Sequence, residues 1–487
     1  MHFIIKLFPE ITIKSTPVRK RFVKQLRDNL RNLLRGLDES IDVQRDWEKI
    51  EVRAPVDDQQ LVSQVTEVLA CTPGIANFAK VQSYPLGDMD DIFHKTKTLW
   101  GEALKGKTFC VRVKRNGQHP FSSIEVERYV GGGLNQHTEA AGVKLKNPDI
   151  TVRLEIRENR LFILENLNPG LGGFPLGTQD PVLSLISGGF DSTVSSYLTI
   201  KRGLRTHYCF FNLGGRAHEV GVKEVAYYLW NKYGASHRVK FVTIPFDEVV
   251  SEILQHVENS LMGVVLKRMM LRAATKVAEE MKMQALVTGE SVGQVSSQTL
   301  QNLSVIDAVT DTLVLRPLVT MDKGDIVNLS RKIGTEVYAA HMPEYCGVIS
   351  VKPTTRARID NVKNEEGKFD FSKLDMAIAK RQVMNIDDVL ESVEATLVVQ
   401  EVSTLRSNSV VVDIRHPDEE ELAPFSIPGV TIKKIPFYTL NSVFPTLNKE
   451  QEYLLYCAQG VMSQLHAEHL MEAGFNNVGV FRPDKKG

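Results

Sequence analysis

The stretch Ser187-Gly188-Gly189-Phe190-Asp191-Ser192 constrains this chain more than any other. It joins the apolar run Pro181 to Ile186 to a segment of helical character, Thr193 to Lys201. A buried strand that passes through two glycines straight into a helix is the opening of a layered α/β domain, and it leaves backbone N–H groups free at the helix N-terminus. Glycines, lacking Cβ, let an anion come close to those donors. A phosphate loop of the Walker type carries a lysine just before its last hydroxyl residue. Here Asp191 holds that place, which argues against a kinase or an ordinary ATPase.

Pro181 to Ile186, His207 to Asn212, His237 to Ile244 and Ala285 to Thr288 are apolar runs bounded by turn residues, with helical segments between them. Such strands predict a doubly wound parallel sheet covered on both faces, with ligands at the carboxyl ends of the strands. Leu185, Ile186 and the glycine loop (Ser187, Gly188, Gly189, Asp191, Ser192) lie at one such end, and Thr288-Gly289-Glu290-Ser291 at another. Leu266-Lys267-Arg268 reads as the opening of a helix with Lys267 in reach of phosphate, and Gly293 to Thr299, which includes Gln298, supplies further amide groups. The glycine loop resembles the pyrophosphate-binding loop of the N-type ATP pyrophosphatases, which split ATP between the α and β phosphates and adenylate a carbonyl oxygen.

At 487 residues the chain is too long for one core, and its 43% hydrophobic content is ordinary for globular protein. The 59 basic and 59 acidic residues cancel, but unevenly. Residues 1 to 36 carry Lys6, Lys14, Arg19, Lys20, Arg21, Lys24, Arg27, Arg31 and Arg35 against Glu10 and Asp28, while the chain beyond about residue 360 turns acidic. A basic N-terminal face points to a polyanionic partner. Met1 to Ile13 is too short and too interrupted for a signal peptide, and no run reaches membrane-spanning length, so a cytoplasmic protein without a membrane partner is expected. Five cysteines without a CxxC pair give neither a disulfide framework nor a zinc site.

The first segment reads as a strand, His2 to Phe8, then an amphipathic helix. Val18, Phe22, Leu26, Leu30 and Leu33 form its apolar stripe, and Lys20, Lys24, Arg27 and Arg31 line another face. Strand-like stretches follow at Asp42 to Arg53, Phe78 to Ser83 and Thr108 to Lys114, giving an α+β pattern. From Thr108 come a strand flanked by Lys107, Arg112, Lys114 and Arg115, a helix around Ser122 to Gly131, and two strands, Ile150 to Arg157 and Arg160 to Leu164, joined at Glu158-Asn159. With the glycine-rich phrase Gly170 to Thr178, this order resembles the THUMP domain, an RNA-binding module that follows a ferredoxin-like domain in several tRNA-modifying enzymes.

Pro353 to about Arg406 is polar and loop-rich, with an acidic helix and a linker. After it, Val410 to Ile414, Ile432 to Ile435 and Tyr453 to Tyr456 read as strands, followed by a helix, Val461 to Ala473. Cys457 stands at the last strand-to-helix turn, where backbone N–H groups and the helix dipole favour an anionic sulfur. With Asp413-Ile414-Arg415 and Ile427-Pro428-Gly429, this unit resembles a rhodanese domain. Rhodaneses acting on thiosulfate usually carry arginine in the loop; Ala458, Gln459 and Ser463 are uncharged, which favours delivery by a protein persulfide. Cys346, in the turn-like Met342 to Gly347, is a second candidate thiol, whereas Cys110 and Cys209 read as core and Cys71 as packed at a helix end.

Taken together, these segments resemble the family of tRNA uracil 4-sulfurtransferases that also serve thiamine thiazole synthesis. The resemblance implies an α/β multidomain chain: ferredoxin-like at 1–60, THUMP at 61–165, an ATP pyrophosphatase (PP-loop) domain at 175–395 and a rhodanese-like domain at 404–487. It implies ATP bound at Leu185, Ile186, the loop, Lys267, Gly289 and Gln298, with Mg²⁺ near Asp191 and no permanently bound cofactor. It implies tRNA on Lys20, Lys24, Arg27, Arg112 and Lys114, a cysteine desulfurase loading Cys457, a Cys346–Cys457 disulfide reset by a thiol reductant, and a sulfur-carrier protein as second acceptor. Two other readings stay open: an RNA-binding sulfur relay with a regulatory nucleotide domain, and a different adenylating tRNA thiolase.

Overall fold

The computed structural model of the chain describes residues 1–46, 49–55, 57–213, 215–340, 342, 353–389, 399–406, 408–415, 420–421, 423–457 and 461–483. They form two compact units, Met1–Pro175 and Leu176–Gly487. Among the described residues no helix is long and apolar enough to cross a membrane.

The first unit holds β1 (His2–Leu7), β2 (Asp42–Asp46), β3 (Lys49–Arg53), β4 (Ile75–Pro85), β5 (Thr108–Asn116), β6 (Gly142–Val143), β7 (Ile150–Arg157), β8 (Arg160–Leu164) and β9 (Asn168–Gly172). They make one sheet in the order β2-β3-β1-β4-β8-β7-β5-β6, with β9 also on β4. The stretch Asp42 to Arg53 is thus two strands, paired as an antiparallel hairpin. The helices Thr16–Arg35 and Gln59–Cys71, with β4, extend the first fold past residue 60. Thr16–Arg35 buries Phe22, Val23, Leu26, Leu30 and Leu34. Five such side chains contribute on the order of 10 kcal/mol in gross transfer free energy. Leu34, rather than Leu33, is the last fully buried apolar position of the helix.

One strand serves both halves of this sheet. Ile75 to Lys80 of β4 lie opposite β1, and Val81 to Pro85 lie opposite β8. The second half packs the helices Met89–Trp100 and Ser123–His137 on β5 and β7. The second helix starts at a capping box, Ser122 with Glu125, which fixes its N-terminus. An ion network joins the halves. Glu155 of β7 receives Lys6 (3.1 Å), Lys49 (2.8 Å) and Arg157 (2.7 Å). Glu51 of β3 receives Arg53 (2.6 Å), His2 (3.1 Å) and Arg157 (3.3 Å).

The second unit holds β10 (Gln179–Leu185), β11 (Leu204–Asn212), β12 (Lys240–Pro245), β13 (Ala285–Val287), β14 (Leu313–Leu315) and β15 (Gln382–Asn385) in the order β14-β13-β10-β11-β12-β15. All neighbours are parallel except β12 and β15. The parallel sheet therefore ends in an antiparallel edge strand. That strand and the helices Ile359–Glu366 and Phe371–Ala379 occupy much of the stretch read as loop-rich. A second sheet is parallel throughout: β16 (Glu401–Val402), β17 (Ser409–Asp413), β18 (Lys433–Lys434), β19 (Glu452–Tyr456) and β20 (Val478–Phe481), ordered β16-β20-β19-β17-β18. Its core is continuous with that of the first sheet: Tyr208, Phe210, Val222 and Tyr338 belong to one buried cluster with Phe437, Leu455 and Cys457. At this contact His466 Nε2 lies 2.7 Å from Glu224 Oε1, both side chains buried.

Candidate active site

The chain leaves β10, builds outward through β11 and β12, then returns to place β13 on the other side of β10. A ligand crevice opens at the carboxyl ends of the two strands where the winding reverses, here β10 and β13. The residues after β10 are Ile186 and the glycine loop; those after β13 are Thr288, Gly289 and Glu290. Sequence position and topology agree on this edge.

Two glycines are required there for different reasons. Gly188 has φ +83°, a left-handed conformation, and a Cβ on it would sit 3.0 Å from Met342 Sδ. A Cβ on Gly289 would lie 2.6 to 2.7 Å from the backbone of Asp191, so the end of β13 touches the start of the loop helix, Phe190–Lys201. That helix has no side-chain cap at Gly189, which leaves its first N–H groups for an anion. Ser192 braces the turn: its Oγ accepts from the Ser187 N–H (3.1 Å) and donates to the Gly189 carbonyl (3.2 Å). His218 donates through Nε2 to the Ser187 carbonyl (3.2 Å). Burial lowers its proton affinity, and the bond to Ser187 offsets only part of that. Behind the loop the helix is lined with small hydroxyl residues, Ser184 bonding Ser196 (2.8 Å) and Thr199 bonding Thr206 (3.0 Å).

The charges come in matched sets. Asp191 takes Lys323 at 2.9 and 3.0 Å and the Gln294 amide at 2.7 Å. Lys267 lies 2.8 Å from Glu290, whose other oxygen takes Arg316 (2.8 Å) and the Thr288 hydroxyl (3.1 Å). Arg316 also grips Asp307 with both terminal nitrogens, at 2.6 and 2.9 Å. Burial opposes ionisation of Glu290, but Lys267 and Arg316 outweigh it and hold the carboxyl below its ordinary range. Gln298 is buried, its Oε1 facing the Ser291 N–H at 3.4 Å. Lys267 does not open its helix. The helix runs Met262–Glu280 from an uncapped start after the turn Asn259–Leu261, so Lys267 sits in its second turn.

The sequence pattern missed Lys323, Arg316 and His218; Gln294 lies in the stretch expected to supply amide groups, and its amide is on Asp191. Lys323 heads the helix Lys323–Ile333, 132 positions from Asp191, and no local spacing joins them. Among the described residues no three His, Cys, Asp or Glu side chains gather as a metal cage. Asp191, sharing its oxygens with Lys323 and Gln294, fits a cation that arrives on phosphate oxygens and takes one protein ligand.

Cys457 follows β19 at the carboxyl edge of the second sheet and is buried. The Ser463 N–H points at Sγ (3.3 Å), and the Ser463 hydroxyl is 3.5 Å away. Behind it Arg415 forms a buried ion pair with Asp413 (2.6 Å), bonds the Ala423 carbonyl (2.8 Å) and faces the Tyr456 ring. Cys346, Ala458 and Gln459 lie outside the described residues. Cys110 and Cys209 are core, the Cys209 thiol pushed far up by burial, and Cys71 ends its helix half-buried. Lys20, Lys24 and Lys114 are exposed. Arg27 pairs with Asp28 (2.6 Å), and Arg112 with Glu127 (3.6 Å) and the Leu145 carbonyl (3.1 Å).

Comparison with known proteins covers the whole chain. Residues 2–79 match the ThiI ferredoxin-like domain, 87–164 the THUMP domain, 177–371 the thiamine biosynthesis protein (ThiI) family and 398–482 the rhodanese-like domain. A tRNA sulfurtransferase from Shewanella halifaxensis is 57% identical over 484 residues, 99% of this chain and 100% of that one. One from Saccharophagus degradans is 55% identical over 483 residues, again 99% and 100%. Among solved structures, a 4-thiouridine synthetase–RNA complex with bound ATP is similar with a TM-score of 0.69 and 25% identity, covering 79% of this chain and 99% of that one.

Proposed function

Because the chain belongs to the tRNA sulfurtransferase family, we propose that it uses ATP to move sulfur from a Cys457 persulfide onto C4 of a uridine in tRNA, at position 8. The observation that carries this reading is the uncapped loop helix beside Gly188, set at the winding reversal of the sheet and packed in one core with the cysteine domain.

ATP lies along Leu185, Ile186 and the loop, its β and γ phosphates on the N–H groups after Gly189 and its α phosphate near Lys267 and Gln298. Lys323 exchanges its carboxylate partner for phosphate oxygens as the nucleotide enters, while Lys267 reaches phosphate from its place on Glu290. Asp191 would hold a Mg²⁺ ion brought in with ATP, and that ion would supply charge compensation for the departing pyrophosphate. The uracil O4 attacks the α phosphorus and pyrophosphate leaves. The terminal sulfur of the Cys457 persulfide then adds to C4 and AMP departs. The Cys346 thiolate attacks the Cys457 sulfur, breaking the S–S bond to the transferred sulfur and leaving a Cys346–Cys457 disulfide; two electrons from a cellular thiol reductant restore both thiols. The persulfide is loaded by a cysteine desulfurase and also serves a sulfur-carrier protein for thiazole synthesis. tRNA lies on Lys20, Lys24, Arg27, Arg112 and Lys114, and the site of action is the cytoplasm.

The test is a reaction of the full chain with persulfide donor, ATP and tRNA, read as AMP, pyrophosphate and tRNA nucleosides by mass spectrometry. The expected products are 4-thiouridine with stoichiometric AMP. In Asp191→Ala both should vanish while tRNA binding persists. Undiminished AMP release from that variant overturns the site, and a thiolated anticodon without 4-thiouridine favours the other thiolase.

A further inference from the structure

Lys267 has the chemistry of a phosphate contact, but lysine is a flexible point charge, and something must decide where its ammonium stands. Its side chain is 19% exposed and ends 2.8 Å from Glu290, which is 11% exposed. Glu290 in turn has no freedom. Its second oxygen is held by Arg316 and Thr288, and Arg316 is locked two-pronged on Asp307. The backbone is equally fixed, since Gly289, one residue earlier, packs against Asp191 with no room for a Cβ. A rigid line Asp307–Arg316–Glu290–Lys267 therefore runs from the helix Leu300–Asp307 to the helix Met262–Glu280 beneath the phosphate loop. The two cations and two acids sum to zero, so the line adds no net field of its own.

We infer that Glu290, steadied by Arg316 and Thr288, is a positioning residue that sets Lys267 for the nucleotide and determines ATP affinity without touching ATP. The inference rests on the reading of Lys267 as a nucleotide contact. A hydrogen bond to a charged group holds a partner by an amount equivalent to roughly a tenfold or greater change in occupancy. Loss of the carboxylate releases Lys267 to solvent and leaves Arg316 to Asp307 alone. Glutamine keeps the shape but turns an amide NH₂ toward one of the two cations.

The experiment is calorimetric ATP binding to the full chain, comparing wild type, Glu290→Gln, Lys267→Met and the double variant. Glu290→Gln should weaken ATP by about tenfold, and the double variant should bind no worse than Lys267→Met, because an effect exerted through Lys267 disappears once Lys267 is gone. Thr288→Val removes a single bond to the same carboxylate while keeping shape; it should weaken ATP about twofold to threefold, and this too should disappear in the Lys267→Met background. The inference is overturned if Glu290→Gln and Thr288→Val bind ATP as wild type does. It is equally overturned if their losses persist in full without Lys267. If wild type itself fails to form AMP with tRNA, the catalytic reading falls separately, since the binding cycle does not depend on turnover.

Discussion

Lys267 and Arg268 are adjacent, yet the helix turns them to different tasks, and the second supports the sharpest stability prediction. Arg268 is 2% exposed and makes a two-pronged contact with Glu366, 7% exposed, at 2.7 and 2.8 Å, besides donating to the Val305 carbonyl. Breaking one side of a buried pair costs about 3–5 kcal/mol, because the survivor stays buried and uncompensated. Arg268→Met falls at the lower end, near 3 kcal/mol, since Glu366 keeps Arg272 at 3.3 Å. Glu366→Leu falls near 5 kcal/mol, since Arg268 keeps only a carbonyl. If independent, the two losses would sum to about 8 kcal/mol. In Arg268→Met/Glu366→Leu no fully buried charge is stranded; the new defects are the unpaired Val305 carbonyl, about 1–2 kcal/mol, and the lost 3.3 Å contact of the partly exposed Arg272, worth little beside it. The interaction term is then about 6 kcal/mol. Urea unfolding of the four proteins, followed by tryptophan fluorescence, measures it directly. A double variant as unstable as the sum of the singles would refute the reasoning and leave the contact an ordinary surface-like pair.

Gly188→Ala forces a Cβ into a left-handed turn, about 1–2 kcal/mol, and against Met342; ATP binding should weaken while the thermal midpoint falls only slightly, and unchanged affinity would remove Gly188 from the phosphate site. Cys457→Ser should end thiolation but leave AMP formation, whereas Cys346→Ser should still load persulfide; a Cys346 variant turning over at the wild-type rate would discard the resolving role. The first unit should weaken in acid. Burial opposes ionisation of Glu51, yet His2 and Arg53 hold its carboxyl at about 2, and Lys49, Arg157 and Lys6 likewise outweigh burial to hold Glu155 well below its ordinary range. A carboxyl depressed in the folded state stabilises fully above its unfolded value and loses that contribution as pH falls toward the folded one. Melting of the unit should therefore drop between about pH 4.5 and 2, and replacing Glu51 and Glu155 with glutamine should flatten the drop; an equally steep fall in that variant would place the acid sensitivity elsewhere.

What the sequence disclosed depended on how local the signal was. The strands Ile150–Arg157 and Arg160–Leu164 are predicted to the residue, because the first alternates strictly, the second is a short apolar run, and Glu158, at φ +46°, makes a two-residue turn with Asn159. The strand Gln382–Asn385 carries no apolar run; it is a strand because β12 offers it an open edge, a fact set by tertiary structure. Lys433–Lys434 lies inside the predicted strand Ile432 to Ile435, shortened to the two residues that pair with β17. The phosphate loop was legible since its glycines, acid and hydroxyls are consecutive. Its charged partners were not: Lys323 and Arg316 meet Asp191 and Glu290 only after the sheet has reversed its winding, and their own neighbours in sequence are ordinary helix and loop.

The strand Ile75–Pro85 has a mechanical consequence. At about 3.4 Å per residue its eleven residues form a beam over 35 Å long, clamped by β1 along one stretch and by β8 along the next. No tether separates the two N-terminal modules, so there is no joint at which they swing. Any change in the angle between them must break ladder hydrogen bonds rather than flex a linker. Any ligand that touched both modules would be gauged against a span fixed by backbone geometry, and the pair can be grafted into another enzyme only as one piece.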